Sequence, residues 1–207
     1  MNHTKEHWEN VYAVKSPAEV SWTQNIPAAS LALLRTLPLP KTAAIIDVGG
    51  GDSRLADCLL DDGFTNVTVL DISGKAIERA KQRLGKKAAG VNWQVQDIRN
   101  YKPGRQFNVW HDRATFHFHT SEKEIESYIT LLTNSVVPGG YAIIATFSQN
   151  GPEKCSGLTV SRYSAATLTE RFKTGFDTVQ CFTEDHLTPF NTTQNFLFCC
   201  FKRKGQE

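Results

Sequence analysis

The 207-residue chain carries 23 Lys and Arg against 21 Asp and Glu, a formal net charge of +2, with 40% hydrophobic and 21% charged residues. That length suits one domain with a substantial core, and the composition excludes a disordered chain. No apolar run approaches the roughly 18 residues of a spanning helix, the only Lys/Arg block is Lys202-Arg203-Lys204, and the polar start at residues 1–7 has no signal-peptide core, so neither a membrane nor a nucleic acid is expected as a partner.

The first 40 residues are aromatic and amphipathic, with Trp8, Tyr12 and Trp22, and end at Pro38 and Pro40. They read as a helical cap (1–40) on a core (41–207), the two forming one domain. From residue 43 the pattern alternates. A strand at 43–47 ends in Asp47, the turn Gly49-Gly50-Gly51 follows, and a helix at 53–60 closes at Gly63. A second strand at 67–71 ends in Asp71, and Ser73 caps a helix that runs through Leu84 and stops at Gly85. Strands are expected at 91–95 and 107–112. The capping box Ser121-Glu122-Lys123-Glu124 opens a helix to about residue 136. Val137-Pro138-Gly139-Gly140 should then turn the chain into a fifth strand at 141–147.

After a polar loop and a helix near 164–172, residues 177–183 and 194–201 are extended and β-rich. The connection between them is too short for a helical crossover, so they should pair antiparallel. The expected fold class is α/β: a three-layer α/β/α sandwich around a seven-stranded, mostly parallel sheet with one antiparallel C-terminal strand. The five cysteines, Cys58, Cys155, Cys181, Cys199 and Cys200, form no CxxC and have no His at zinc-ligand spacing. They are expected to be free thiols in a reducing, cytoplasmic compartment, with no metal bound.

The glycine turn after the first strand, with Asp71 about 20 positions on, marks a βαβ unit that holds a nucleoside over its strand ends. Glycines let the backbone approach the ligand, and Asp71 can accept from ribose hydroxyls. A nicotinamide dinucleotide fits poorly. Its fingerprint needs a third small residue where Arg54 stands, and Asp52 at the helix start repels a pyrophosphate while suiting a cationic sulfonium or amine. No Gly-Lys-Ser/Thr follows, so a P-loop is excluded. Asp47 either contacts such an amine or braces the glycine loop.

These residues and this strand pattern resemble the class I S-adenosylmethionine (SAM)-dependent methyltransferases, whose fold is Rossmann-like. Asp47-Val48-Gly49-Gly50-Gly51 is similar to their first motif, Asp71 to their ribose-binding acid, Gln96-Asp97-Ile98 to the motif that holds adenine, and Val137-Pro138-Gly139-Gly140 to the turn before their fifth strand. A finer resemblance lies in His7-Trp8-Glu9-Asn10-Val11-Tyr12, Val20-Ser21-Trp22 and Trp110-His111-Asp112-Arg113-Ala114. These resemble the small branch containing thiopurine methyltransferase and small lysine methyltransferases, in which an N-terminal helix and its aromatics lie over the cofactor. The resemblance implies SAM as cofactor, with contacts from Trp22, Asp47, Gly49, Gly51, Asp71, Ile72, Asp97, Ile98 and Asp112.

Methyl transfer from a sulfonium is an in-line displacement, in which alignment is the enzyme's main contribution and a base is needed only for a protonated nucleophile. Acceptor-side candidates follow the fourth strand: His111, Asp112, Arg113, Phe116, His117 and His119. Asp112 leads them, His117 is the candidate base near neutral pH, and Arg162 is placed to clamp an acidic substrate. The loop at 151–158 is placed as a lid, and its Cys155, flanked by Lys154, is a candidate thiolate. The Asn/Asp-Pro-Pro-aromatic motif of adenine and amide methyltransferases is absent after the fourth strand. The expected acceptor is therefore a small molecule (a thiol, amine or similar nucleophile). The alternatives are a protein-lysine methyltransferase and a non-catalytic SAM-binding regulatory or partner subunit.

Overall fold

Short β-branched runs alternate with amphipathic helices along the first two-thirds of the chain, and each run becomes a strand. The computed structural model describes residues 5–205; residues 1–4, the start of the polar N-terminus, lie outside the described residues. The strands are β1 (Ile45–Val48), β2 (Val67–Asp71), β3 (Val91–Val95), β4 (Phe107–Arg113), β5 (Val136–Phe147), β6 (Lys154–Cys155), β7 (Leu158–Thr159), β8 (Phe176–Leu187) and β9 (Thr193–Arg203). The helices are α1 (Lys5–Val14), α2 (Ala28–Thr36), α3 (Leu55–Asp61), α4 (Gly74–Leu84), α5 (Glu122–Ser135) and α6 (Ala165–Phe172).

The main sheet has seven strands in the order β3-β2-β1-β4-β5-β9-β8. Neighbours from β3 to β5 are parallel, and β9 runs antiparallel to both β5 and β8. One strand is therefore reversed, as the sequence pattern predicts. β1 and β2 are buried along their whole length, as strands covered on both faces must be. One apolar cluster packs Leu31, Leu34, Leu55 and Leu59 of α2 and α3 on Val109, Ile143 and Phe198. The other packs Tyr128, Leu132, Leu168 and Phe172 of α5 and α6 on Ile46, Trp110 and Ile144. Each such side chain, fully buried, contributes about 1.5–3 kcal/mol.

Alternation along β4 sets the chemistry of its two faces. Val109 joins the α2/α3 cluster and Trp110 the α5/α6 cluster, donating its Nε1–H to the Tyr128 hydroxyl at 2.9 Å. His111 and Arg113 consequently share the α2/α3 face, and Asp112 shares the other with Trp110.

Three expectations need correction. Val137-Pro138-Gly139-Gly140 does not end before a strand; β5 already begins at Val136, and an irregularity in its pairing with β4 absorbs the turn, with Gly139 at φ +76°. The loop after β5 contains a two-residue hairpin, β6–β7, turned by Ser156 and Gly157, both at positive φ. The cysteines are not all free: Cys181 and Cys199 are direct partners in the β8–β9 register and are joined by a disulfide, leaving Cys58, Cys155 and Cys200 as thiols. The bridged cysteines lie 18 positions apart in sequence, so local spacing could not reveal the bridge.

Candidate active site

The carboxyl ends of β1, β2 and β4 open into a cavity of about 230 Å³. The glycine turn makes its floor. Gly49 and Gly51 have φ of +66° and +49°, a region that disfavours any Cβ. A Cβ at Gly49 would lie 1.8 Å from Thr115 Oγ1, and one at Gly51 would lie 2.8 Å from the Tyr12 hydroxyl and 3.0 Å from Asp71 Oδ2. Only glycine therefore leaves room for the loop to sit against both Asp71 and a ligand.

Asp71 ends β2 and is 7% exposed. Its Oδ1 accepts from the Ser73 amide at 2.7 Å, and the Gly51 amide also donates to the carboxylate. Burial outweighs these bonds. Together with the charges of Asp52 and Asp47, it pushes Asp71 up to about 7. A buried carboxylate held this way fits a neutral ligand that brings hydroxyl donors.

Above it lies the N-terminal segment. Glu9 Oε1 accepts from the Gly74 amide at 2.9 Å, and Oε2 accepts from the Lys75 amide at 3.1 Å and the Ser73 hydroxyl at 2.9 Å. Burial would raise this carboxyl, but the amide bonds at the α4 N-terminus win and hold Glu9 below its usual value. With α1 pinned, Trp8 packs edge-on to Trp22 and Phe118, and Tyr12 edge-on to Trp22. Tyr12 is buried, and its ionisation is pushed far up by burial and by Asp71. Asp97 and Ile98 line the opposite end. Burial acts to raise Asp97, yet the Arg99 side chain and amide bind it closely enough to hold it low.

On β4, Asp47 and His111 are register partners on one face of the parallel β1–β4 pair. His111 Nδ1 lies 2.7 Å from Asp47 Oδ1, and His111 Nε2 lies 2.8 Å from the Ser30 hydroxyl on α2. With the carboxylate accepting, Nδ1 carries a proton, and Nε2 is hydrogen-bonded to the Ser30 hydroxyl. Arg113 follows two residues on. Its Nη1 donates to the Trp22 carbonyl at 3.0 Å, and its guanidinium carbon stands 4.4 Å from the Phe196 ring centre. Ala114, at φ +71°, then turns the chain away.

The sequence-predicted cofactor residues Trp22, Asp47, Gly49, Asp71, Ile72, Asp97 and Ile98 all line this one cavity, and Gly51 abuts Asp71. Asp112, His117 and Arg162 do not line it. Asp112 is fully buried on the α5 side and accepts from the Thr115 and Phe116 amides at 2.8 and 3.1 Å. His117 is fully buried, its Nδ1 3.4 Å from the Phe147 amide. Arg162 braces the loop after β5, donating to the Gln149 and Gly151 carbonyls and pairing with Glu153 at 2.9 Å. Cys155 does line the cavity, but burial pushes its thiol up to about 12, so the expected thiolate character is not there. Glu9 and Ser30 carried no local signal in the sequence. His111 carried one: alternation and parallel pairing place it beside Asp47.

Residues 45–140 match a family model described as a methyltransferase domain. EEF1A lysine methyltransferase 2 of Danio rerio is 25% identical over 192 residues, 86% of this chain and 76% of that protein. A solved structure described as "Conversion of a Disulfide Bond into a Thioacetal Group during Echinomycin Biosynthesis" superposes with a TM-score of 0.78 at 21% identity, covering 99% of this chain and 94% of that one. Burkholderia thailandensis 1,6-didemethyltoxoflavin-N1-methyltransferase, solved with 1,6-didemethyltoxoflavin and S-adenosylhomocysteine, superposes with a TM-score of 0.68 at 18% identity, covering 97% and 84%. At these identities the superpositions speak for the fold alone. The fold is Rossmann-like, and the glycine cradle leaves room for a ligand beside Asp71. With residues 45–140 matching a methyltransferase domain, the chain resembles the SAM-dependent methyltransferases, and SAM is the cofactor.

Proposed function

We propose that this chain transfers the methyl group of SAM to a small-molecule nucleophile such as a thiol or amine. The observation that carries this reading is enclosure. Trp8, Trp22, Phe118 and Arg113 come from three separate parts of the chain, line one cavity, and are tied together by edge-on ring contacts and the Arg113–Trp22 hydrogen bond. In this reading they wall a compact acceptor space in a cavity of about 230 Å³, in contrast to the open groove that an extended peptide needs. The whole chain is read as one methyltransferase domain, with residues 1–40 as its cap.

Bound SAM supplies a methyl group on a sulfonium that needs no further activation. In this reading Asp71 accepts the ribose hydroxyls, Asp97 and the Ile98 backbone hold the adenine, and Ile72 packs beside it. Gly49 and Gly51 let the backbone come close to the methionine portion, with Asp47 balancing its amine. Trp22 and its aromatic neighbours exclude water. Holding the nucleophile in line can remove several kcal/mol of barrier. His111 is the cavity-lining imidazole set against both a carboxylate and a hydroxyl, which suits it to hold a proton. Asp112, His117 and Arg162 serve as braces.

A cytoplasmic setting belongs to this reading, supported by the thiols of Cys58, Cys155 and Cys200; the Cys181–Cys199 bridge weighs against it. No helix among the described residues is long and apolar enough to cross a membrane. Protein-lysine methylation is the second reading, favoured by the likeness to the Danio rerio enzyme. A radiolabelled-methyl assay on fractionated cell extract separates the two. Label in small metabolites supports the first, and label in a protein band supports the second. With neither, the chain is a SAM-binding subunit without turnover.

A further inference from the structure

Among the described residues, Arg113 is the half-buried cavity-lining arginine whose charge meets no carboxylate at ion-pair distance. Nε and Nη2 are both shielded from solvent, and neither has a hydrogen-bond partner among the described residues. Only Nη1 is used, on the Trp22 carbonyl. Asp47, Glu184 and the Cys155 thiol act on it at longer range, and no described ion pair includes it. Burial pushes this guanidinium down to about 10. A guanidinium with two N–H groups shielded and unpaired is destabilised until a counter-charge arrives.

The unused atoms are not a random pair. Nε–H and Nη2–H lie along one edge of the planar guanidinium and point the same way, forming the fork that matches the two oxygens of a carboxylate. The other edge is spent on Trp22, and the flat face is covered by Phe196. Rotation is thereby restrained, and the two unused N–H groups are held in one place on a residue that lines the cavity, shielded from solvent until a ligand displaces what covers them. The cavity it lines includes the uncharged Trp22, Ala114, Phe118 and Cys155, and its Asp47 attracts the guanidinium only from beyond ion-pair distance.

We propose that Arg113 is the receptor for a carboxylate on the methyl acceptor, which makes the substrate an acidic small molecule. This rests on the methyltransferase reading above and narrows it. A protein lysine, arriving as a cation, meets the wrong sign here. The same fork could also be met by the carboxylate of the cofactor's own methionine, so the test must tell the two sources apart.

The test uses the full chain saturated with S-adenosylhomocysteine and carrying ¹⁵N-labelled arginine, with Arg113→Gln assigning the Nε resonance. Acetate and benzoate are titrated in, with benzamide as the uncharged control. The carboxylates should move the Arg113 Nε–H resonance and benzamide should not. Arg113→Gln should lose at least about tenfold in benzoate affinity, and Arg113→Lys, which keeps the charge but not the fork, should lose part of it. Affinity for S-adenosylhomocysteine should stay within about twofold. The wild-type resonance decides the matter even if a variant folds poorly. No response to either carboxylate overturns the proposal while leaving the methyltransferase reading intact. So does a variant that loses affinity for S-adenosylhomocysteine but keeps it for methylthioadenosine, because the partner is then the cofactor's carboxylate. Failure of S-adenosylhomocysteine to bind at all overturns both.

Discussion

The Tyr128 hydroxyl donates to the Asp112 carboxylate within the α5-side core, on the face of β4 opposite His111 and Arg113. Two amides, of Thr115 and Phe116, complete the same carboxylate, so Asp112 ties α5 to the loop that leaves β4. Burial still outweighs these bonds and pushes Asp112 up to about 6.

Asp112→Ala should therefore act on stability. It leaves a buried hydroxyl and two amides unsatisfied, and the expected loss is about 2–4 kcal/mol in urea unfolding. Asp112→Asn keeps the shape and should lose less. A variant with unchanged unfolding but no methyl transfer would return Asp112 to the chemistry.

Asp71 predicts a pH dependence for cofactor binding. Ribose hydroxyls donate to the charged carboxylate, whereas the free protein holds Asp71 protonated below about 7. Binding then expels a proton, so SAM affinity should rise with pH and level off above that value. The stability of the free protein runs the other way. Folding raises Asp71 from 3.8 to about 7, so the folded state binds the extra proton and stability falls as pH climbs through that window. Asp71→Asn should stabilise the free protein by roughly 1–3 kcal/mol at about pH 8 and hardly at all near pH 4. The same change should weaken SAM by about 1.5–3 kcal/mol. Calorimetry across pH checks both signs; unchanged SAM affinity in the variant contradicts the ribose assignment.

Much of this was legible because it is local. Ser73 caps α4 and Gly85 ends it, as their positions imply, and the capping box at Ser121 opens α5. Gly49, Gly51 and Asp71 are fixed by a strand–turn–helix unit read within thirty residues or so. The acceptor side was not local. Asp112 and Arg113 are adjacent in sequence, and only the packing of α2 and α5 decides which faces the cavity. The bridge between Cys181 and Cys199 depends on the hairpin register, and Glu9 reaches α4 from 64 residues away. Sequence spacing cannot report such contacts.

Glu9 supplies a third prediction. Its carboxylate caps the α4 N-terminus with two amides and the Ser73 hydroxyl, and in doing so holds α1 and its Trp8 and Tyr12 over the cavity. Glu9→Ala should cost about 1–2 kcal/mol of that closure. In the cap reading, SAM affinity drops about tenfold while the core keeps its cooperative unfolding. Removing residues 1–24 should be harsher and abolish SAM binding in a domain that remains folded. Retained affinity after truncation would sink the cap.

The Asp47–His111–Ser30 chain gives the last. It joins β1, β4 and α2 through two short hydrogen bonds, and all three side chains are buried. Ser30→Ala removes one neutral bond and keeps the imidazole against Asp47, so the cost should be about 1 kcal/mol. His111→Ala strips the partner from a buried carboxylate and a buried hydroxyl together, and about 3–5 kcal/mol is expected. Because Asp47 also faces the cofactor's amine in the proposed mode, His111→Ala should disturb SAM binding, whereas Ser30→Ala should leave it within about twofold. Urea unfolding and SAM calorimetry on the two variants measure this directly. Equal losses in both would mean that the chain only clamps α2 to the sheet. A selective loss with His111→Ala would mean that the imidazole sets the carboxylate the cofactor meets.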